Sequence, residues 1–414
     1  MRIAVVGSGI SGLASAWLLA REHDVVLFEA EDRLGGHTDT QDVEVDGHRF
    51  AVDTGFIVFN PKNYPLLSRL FAELGVESQP TTMSFSVHNE ASGLEYNAGS
   101  LAGLFCQPRN LVSPRFLRML ADIFRFYREA PALLDLPDDG PSLGEYLTRN
   151  NYSDAFREEH IIPMASALWS SPHARIDDFP ARYLATFMAN HAMLKVSGRP
   201  QWRVVRGGSC SYVRALRDRW SVQERPGCAV NSIARDVNGV TVATAAHNER
   251  FDHVVLACHS DQALALLADA NSREREILGA IEWHENDTVL HTDASLLPRN
   301  RKAWAAWNAR ISAEPGNPCT VSYCMNLLQS LTSTEPLVVS LNQTRHIDPA
   351  RILRRRPYQH PVFTHATVAA QRRRHEIQGH RRTSFAGAWW GHGFHEDGMR
   401  SAVDVAANLQ VKWP

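Results

Sequence analysis

The chain has 414 residues, 44% hydrophobic and 21% charged, enough for a substantial core and for two ordinary domains or one large domain carrying an insertion. Lysine and arginine number 43 against 45 aspartates and glutamates, a formal charge of −2, which excludes a general nucleic-acid binder, since neutralising phosphates requires a basic excess. The six cysteines are scattered with no Cys-x-x-Cys pair, so zinc-ligand spacing is absent, no metal is expected, and free thiols in a reducing cytoplasm are.

Residues 2–6, Arg-Ile-Ala-Val-Val, are an apolar run suited to a buried parallel strand. They lead into Gly7-Ser8-Gly9-Ile10-Ser11-Gly12, after which Leu13, Ala14, Ala16, Trp17, Leu18 and Leu19 continue with helical spacing. A second strand over 24–28 ends on Glu29 and Ala30. Strand, Gly-x-Gly-x-x-Gly turn, helix, strand and acid is the order that dinucleotide binding requires. Gly7 permits the tight turn, Gly9 lets the backbone approach a pyrophosphate, and Gly12 lets helix and strand pack closely. The helix N-terminus faces the phosphate charge, and Glu29 can accept from a ribose hydroxyl. The first twenty residues are apolar, but glycines and serines interrupt them and no basic leader precedes, so no signal peptide is expected. No other stretch approaches the roughly twenty apolar residues of a membrane span.

Glu31-Asp32-Arg33-Leu34-Gly35-Gly36-His37-Thr38 follows at once, and its glycine pair lets a second loop approach the same ligand. With this stretch the chain resembles the flavin-dependent amine oxidase and phytoene desaturase superfamily, whose members carry Arg-x-Gly-Gly-Arg after the ribose-binding acid. Here His37 stands in place of the second arginine, which weakens the phosphate contact implied at that position. The resemblance implies a Rossmann-type α/β FAD-binding domain with an inserted α+β substrate domain. It implies non-covalent FAD held by residues 7–12, Glu29, Ala30, Arg33, Gly35, Gly36, His37 and Thr38. Residues 43–52 read as a hairpin turning on Asp46-Gly47. Asp53-Thr54-Gly55-Phe56 is similar to the loop those enzymes place beside the flavin, which adds Thr54, Gly55 and Phe56.

An insertion over 76–199 reads as largely helical. Within it, Phe116, Leu117, Leu120, Ile123, Phe124 and Tyr127 share one helical face, and Arg115, Arg118, Arg125 and Arg128 share the other. Such a helix is either an outer element with a solvated arginine face or one that touches an anionic inner-membrane surface. Residues 202–209 match the Gly-Gly segment of the desaturase branch. By the same resemblance Val230 meets the adenine, and the strand over 251–258 brings Ala257 and Cys258 to the diphosphate. No second Gly-x-Gly-x-x-Gly appears, so electrons are expected to pass to dioxygen or a separate acceptor. The second insertion, 271–374, holds strand-like runs at 288–291, 320–323 and 337–341 and a turn at 314–318. The FAD-binding domain is thus expected from 1–75, 200–270 and 375–414, and the substrate domain from 76–199 and 271–374.

Near the far end, Ser384-Phe385-Ala386-Gly387-Ala388-Trp389-Trp390-Gly391-His392-Gly393-Phe394-His395-Glu396-Asp397-Gly398 reads as a strand, an aromatic-glycine loop and a helix whose acidic first turn suits its dipole. The resemblance places Gly387, Glu396, Asp397, Gly398 and Met399 near the flavin or ribityl chain, with Trp389 and Trp390 either facing the ring or packed in the core.

A narrower resemblance covers nearly the whole chain. Ile162-Pro163-Met164-Ala165-Ser166-Ala167-Leu168-Trp169-Ser170, Ser322-Tyr323-Cys324-Met325-Asn326 and Gly393-Phe394-His395-Glu396-Asp397-Gly398 are similar to a bacterial group of predicted NAD/FAD-binding proteins. Its members are often encoded beside cyclopropane-fatty-acid-synthase-like methyltransferases, and some relatives desaturate methyl-branched acyl chains towards furan fatty acids. That implies an FAD-dependent oxidoreductase of lipid metabolism acting on an apolar acyl substrate. An amine oxidase and a non-redox flavoprotein (hydratase or isomerase) are the alternatives. Desaturation needs a base for a second proton, and histidine suits neutral pH. His392 is the leading candidate, with His395, His191 and His291 beside it. Trp169, Phe187, Trp202, Trp283, Trp304, Trp307 and Tyr323 are expected to wall a tunnel to the flavin.

Overall fold

A computed structural model describes residues 1–136, 139–170, 173–314 and 319–413. All but the first residue of the turn expected at 314–318 lies outside them. At the centre is a parallel five-stranded sheet in the order Gln223–Arg225, Asp24–Phe28, Arg2–Val6, His253–Leu256, Thr383–Phe385. Past their first residues its three inner strands are apolar because both faces are covered. Ile3, Val5, Val25, Leu27 and Val255 point to the helices Ile10–Leu19 and His395–Asn408. Ala4, Val6, Val26, Phe28, Val254 and Leu256 point to the antiparallel sheet Val230–Asp236, Gly239–Thr244, Asn248–Phe251. The strands arrive from three separate stretches of chain.

A second, seven-stranded sheet runs in the order Ile352–Val362, Glu282–His291, Val338–Leu341, Thr320–Cys324, Trp307–Ile311, Phe85–Asn89, Glu95–Asn97. The expected runs at 288–291 and 320–323 lie in it, and the run at 337–341 does so from Val338 on. The stretch 76–199 is less helical than its pattern implies, for it supplies Phe85–Asn89 and Glu95–Asn97 here. It also supplies Ser78–Thr81, which pairs with Trp202–Val205. The alternation is masked because a polar residue goes inward with a partner: buried Ser86 donates to Asn308 Oδ1 at 2.8 Å. The strand Ile352–Val362 was concealed by Arg354-Arg355-Arg356 and two prolines. It is an edge strand, where proline is tolerated, and its arginines pair with Asp287, Asp39 and Glu31.

Helices over 101–190 pack against this sheet. Ser113 caps the helix Pro114–Glu129, which buries Phe116, Met119, Ile123 and Phe126. Its arginine face is largely neutralised: Arg115 meets Glu159, Arg118 meets Asp122, and Arg125 and Arg128 meet Glu129. Among the described residues no helix is long and apolar enough to cross a membrane.

Candidate functional site

One cavity of about 1710 Å³ runs from the parallel sheet, beneath the seven-stranded sheet, into the helical layer. It is larger than a pocket for one small ligand. Of the residues singled out in the sequence, Gly7, Ser8, Gly9, Ile10, Ser11, Glu29, Ala30, Arg33, Gly36, His37, Thr54, Gly55, Phe56, Val230, Ala257, Cys258, Gly387, Trp389 and His392 line it. Gly12, Gly35, Thr38, Trp390, Glu396, Asp397, Gly398 and Met399 do not.

The polar end is built by backbone. Gly7 adopts φ +99°, and a Cβ there would come within 3.0 Å of Ala257. Gly36, at φ +57°, lies against the Gly9 Cα, so the two glycine loops touch. The helix Ile10–Leu19 begins at Gly9 with no side chain capping its first amides. A Cβ on Gly9 would meet nothing within 4 Å and would project into open space. Glu29 accepts from the Ser8 amide at 2.8 Å, the Ser8 hydroxyl at 2.6 Å and the Glu31 amide at 3.0 Å. Arg33 does not reach freely into the cavity. It donates to the Gly36 and Thr38 carbonyls and pairs with Glu31 and Asp39, so it holds the glycine-pair loop in shape. Behind Thr54, the buried Asp53 carboxylate accepts from Thr40, Ser209 and Gln329, and burial pushes its pKa up to about 6.

His37 lies beside Tyr358 and His360, with ring centroids 5.0 and 5.2 Å away. Burial, reinforced by His259 and Arg33, lowers its pKa to about 4. It therefore brings no charge at neutral pH where an arginine would, and its Nε2 is buried without a hydrogen-bond partner. Uncapped amides, open space over Gly9, an acid at the second strand end and this unpartnered nitrogen together fit a dinucleotide diphosphate.

The residues off the cavity act from behind it. A Cβ on Gly12 would stand 1.8 Å from the Gly7 carbonyl oxygen, and one on Gly398 would stand 2.6 Å from Ile10. Glu396 does not line the cavity: it accepts from the amides of Leu66 and Leu67 at 3.0 Å and caps the helix Pro65–Leu74. Asp397 accepts from the amides of His392 and Phe394, fixing the loop. Met399 is core, and Thr38 hydrogen-bonds Tyr212 and His395. Trp390 is also core. Its Nε1 donates to the Phe385 carbonyl, and Arg374 covers its ring. Trp389 packs against it at 4.1 Å, donates to the Cys258 carbonyl and lines the cavity.

His392 stacks on Tyr183 at 4.3 Å, and its carbonyl accepts from Trp169 Nε1 at 3.0 Å. Its Nε2 is buried and unpartnered, and burial lowers its pKa to about 4, so it is a neutral acceptor at physiological pH. His191 and His395 also line the cavity. His291 does not: it is fully buried in the seven-stranded sheet, bonded to Ser340 and the Asp293 amide, and is structural. Six of the seven aromatics expected in the wall are there. Trp304 is not, because its Nε1 donates to the Pro298 carbonyl elsewhere.

Sequence patterns missed His160, Tyr127 and Arg199, which line the other arm of the cavity. His160 sits on a π-helical turn, Arg157–Ile161, inside a longer helix. Pro163 offers no amide to the Glu159 carbonyl, and the Tyr96 hydroxyl donates to that carbonyl at 2.7 Å instead. A proline within a helical pattern was the available signal. The His160 Nδ1 meets Tyr96, leaving Nε2 buried and unpartnered. Around these polar groups the arm is apolar, with Phe85, Leu104, Leu120, Ile123, Met164 and Leu168 in its wall.

The model for flavin-containing amine oxidoreductases matches residues 10–282. Over 95 residues the chain is 39% identical to flavin-containing amine oxidase A of Canis lupus familiaris, covering 23% of this chain and 17% of that one. Over 182 residues it is 28% identical to the 15-cis-phytoene desaturase of Narcissus pseudonarcissus, covering 41% and 31%. The first three curated relatives are matched over only 17%, 12% and 13% of their own lengths. Cyclohexylamine oxidase from Brevibacterium oxydans superposes with a TM-score of 0.68 at 16% identity over 99% of both chains, which shows the fold.

Proposed function

Because the chain belongs to the flavin-containing amine oxidoreductase family, with FAD as its cofactor, we propose that it oxidises or desaturates an apolar acyl substrate, as in the methyl-branched-acyl group it resembles. The observation that carries this reading is the charge of the second arm. Among its described lining residues are Arg199 and the Tyr127 hydroxyl, and no carboxylate. The cavity's three lining acids, Glu29, Glu31 and Glu285, all lie towards the cofactor end. An anionic acyl head group finds a partner in Arg199, and a chain gains roughly 0.8 kcal/mol for each CH₂ buried along the arm. An ammonium ion finds no counter-charge there.

Bound FAD supplies a two-electron acceptor, regenerated by dioxygen or a separate acceptor. Residues 7–12, Glu29 and the Gly35-Gly36 loop hold it. Cys258 beside the diphosphate region has its pKa pushed up to about 12 by burial, so it stays a thiol, in keeping with non-covalent attachment. Trp169, Phe187 and Phe394 exclude water from the reacting carbon. His392 Nε2, neutral and unpartnered, accepts the second proton while Tyr183 and the Asp397-braced loop fix its ring.

Amine oxidation is the second reading, favoured by the aromatic wall that Phe187 and Phe394, stacked on each other at 4.9 Å, present beside His392. Anaerobic mixing separates the two. Bleaching of the visible flavin band by dispersed acyl lipid supports the proposal, and bleaching by amines alone overturns it. Altered lipid with no bleaching points to non-redox chemistry.

A further inference from the structure

Nine large hydrophobic side chains stand exposed among the described residues, and six of them, Leu101, Leu111, Val112, Leu117, Phe124 and Val196, belong to two chain segments. Leu101, Phe124 and Val196 also line the cavity, so these segments surround its opening in the helical layer. Phe124 is 59% exposed and Val196 70%, too large an apolar display to be left to water without use.

The charge around the opening is lopsided. Residues 98–128 and 193–206 carry nine arginines and lysines and one acid, the buried Asp122. Part of this is neutralised by Glu159, Glu129 and Glu77. Among the described residues no ion pair holds Lys195 or Arg199, both exposed, and Arg199 lines the opening itself. The rim is therefore cationic on a chain whose formal charge is −2.

We propose that this mouth docks on an anionic phospholipid bilayer, with Leu101, Phe124 and Val196 entering the interface and the rim cations meeting lipid phosphates. Apolar anchors flanked by cations are the chemistry of peripheral bilayer binding. A second copy of the chain is a poor occupant, because it would set one cationic rim against another. The inference rests on the acyl-substrate reading for what travels along the arm: an acyl chain passes from the bilayer into the cavity without crossing water.

Flotation of the FAD-loaded protein with vesicles tests this without turnover. Equimolar phosphatidylglycerol and phosphatidylcholine should carry the protein at about 0.01 M salt, more weakly at about 0.15 M, and pure phosphatidylcholine should carry little. Phe124→Glu with Leu101→Glu should weaken binding at least tenfold with FAD absorbance retained. Lys195→Gln should weaken it about fivefold, the effect of one cation near an anionic surface. No flotation on anionic vesicles at low salt, or equal flotation of wild type and the double variant, overturns the proposal. So does a dimer that Phe124→Glu dissociates. Flotation without bleaching by any acyl lipid removes the substrate reading and leaves docking standing. Bleaching by dispersed lipid without flotation does the reverse.

Discussion

The two ends of the cavity are made of different materials. At the cofactor end the contacts come from backbone: uncapped amides after Gly9, two glycine loops in contact, and Glu29 held in place by the amides of Ser8 and Glu31. At the substrate end they come from side chains on segments far apart in sequence, near residues 85, 104, 123, 164 and 199. The first end tolerates almost no change of backbone. The second can be resurfaced one side chain at a time, so substrate preference is free to vary on a fixed cofactor site.

The largest effects should come from glycines that sit three residues apart and differ in role. Gly12→Val forces a side chain onto the Gly7 carbonyl, and we expect it to cost about 4 kcal/mol or more and to abolish soluble expression. At Gly9 a Cβ meets nothing within 4 Å, so Gly9→Val should fold with stability unchanged to about 0.5 kcal/mol while FAD is lost. FAD content and thermal melts of the apoprotein separate them. Equal instability of both would break the distinction between a packing glycine and a ligand glycine. Next, Trp390→Ala should cost about 3–5 kcal/mol in denaturant titrations with the flavin spectrum unmoved, because its ring is core. A spectral shift without destabilisation would return it to the ring.

Arg199→Glu probes the other end. Losing a charge-assisted bond should raise KM for an anionic acyl substrate roughly 10–100-fold, with FAD content unchanged. An unchanged KM would place the head group elsewhere.

The smallest effect is a difference in acid sensitivity. Burial lowers the pKa of His37, His253, His259, His291 and His392 to about 4, and of His160 and His395 to about 3. Between pH 6.5 and 4 the unfolded chain binds protons that the folded one refuses, so stability is lost as pH falls through that window. Asp53 and Asp397, both raised to about 6, work the opposite way, losing stability as pH rises from 3.8 to 6, but are outnumbered. A diphosphate beside His37 eases its protonation, so the melting temperature of the FAD-loaded protein should fall less on acidification than that of the apoprotein, by about 2 °C. Identical falls would separate His37 from the ligand.

What was legible in the sequence follows the same division. Residues 7–12, Glu29 and the Gly35-Gly36 pair could be read because backbone constraints are local: a glycine at a fixed offset from a strand has few explanations. Glu396 was legible as an acid in a first helical turn, but not that it caps a different helix 329 residues away, at Leu67. The arm was scarcely visible. Arg199 sits in a loop with no periodicity, and His160 gains its position from a π turn that only packing against Tyr96 makes necessary. Arginines in the helix Pro114–Glu129 read as a solvated or membrane-facing side, whereas Glu159, the partner of Arg115, lies 44 positions on.

The parallel sheet has a temporal consequence. Its outer strand Thr383–Phe385 and the helix His395–Asn408 close a cofactor site whose first loop is Gly7 to Gly12. During synthesis the ribosome adds about 5–20 residues per second, so the nascent glycine loop waits roughly 20–80 s for the segment that completes it. Until then Leu13, Ala14 and their neighbours lack the Met399, Ala402 and Val405 surface that covers them. Cofactor capture therefore waits for residues 383–408, and the chain made before them presents a greasy helix that a chaperone can shelter.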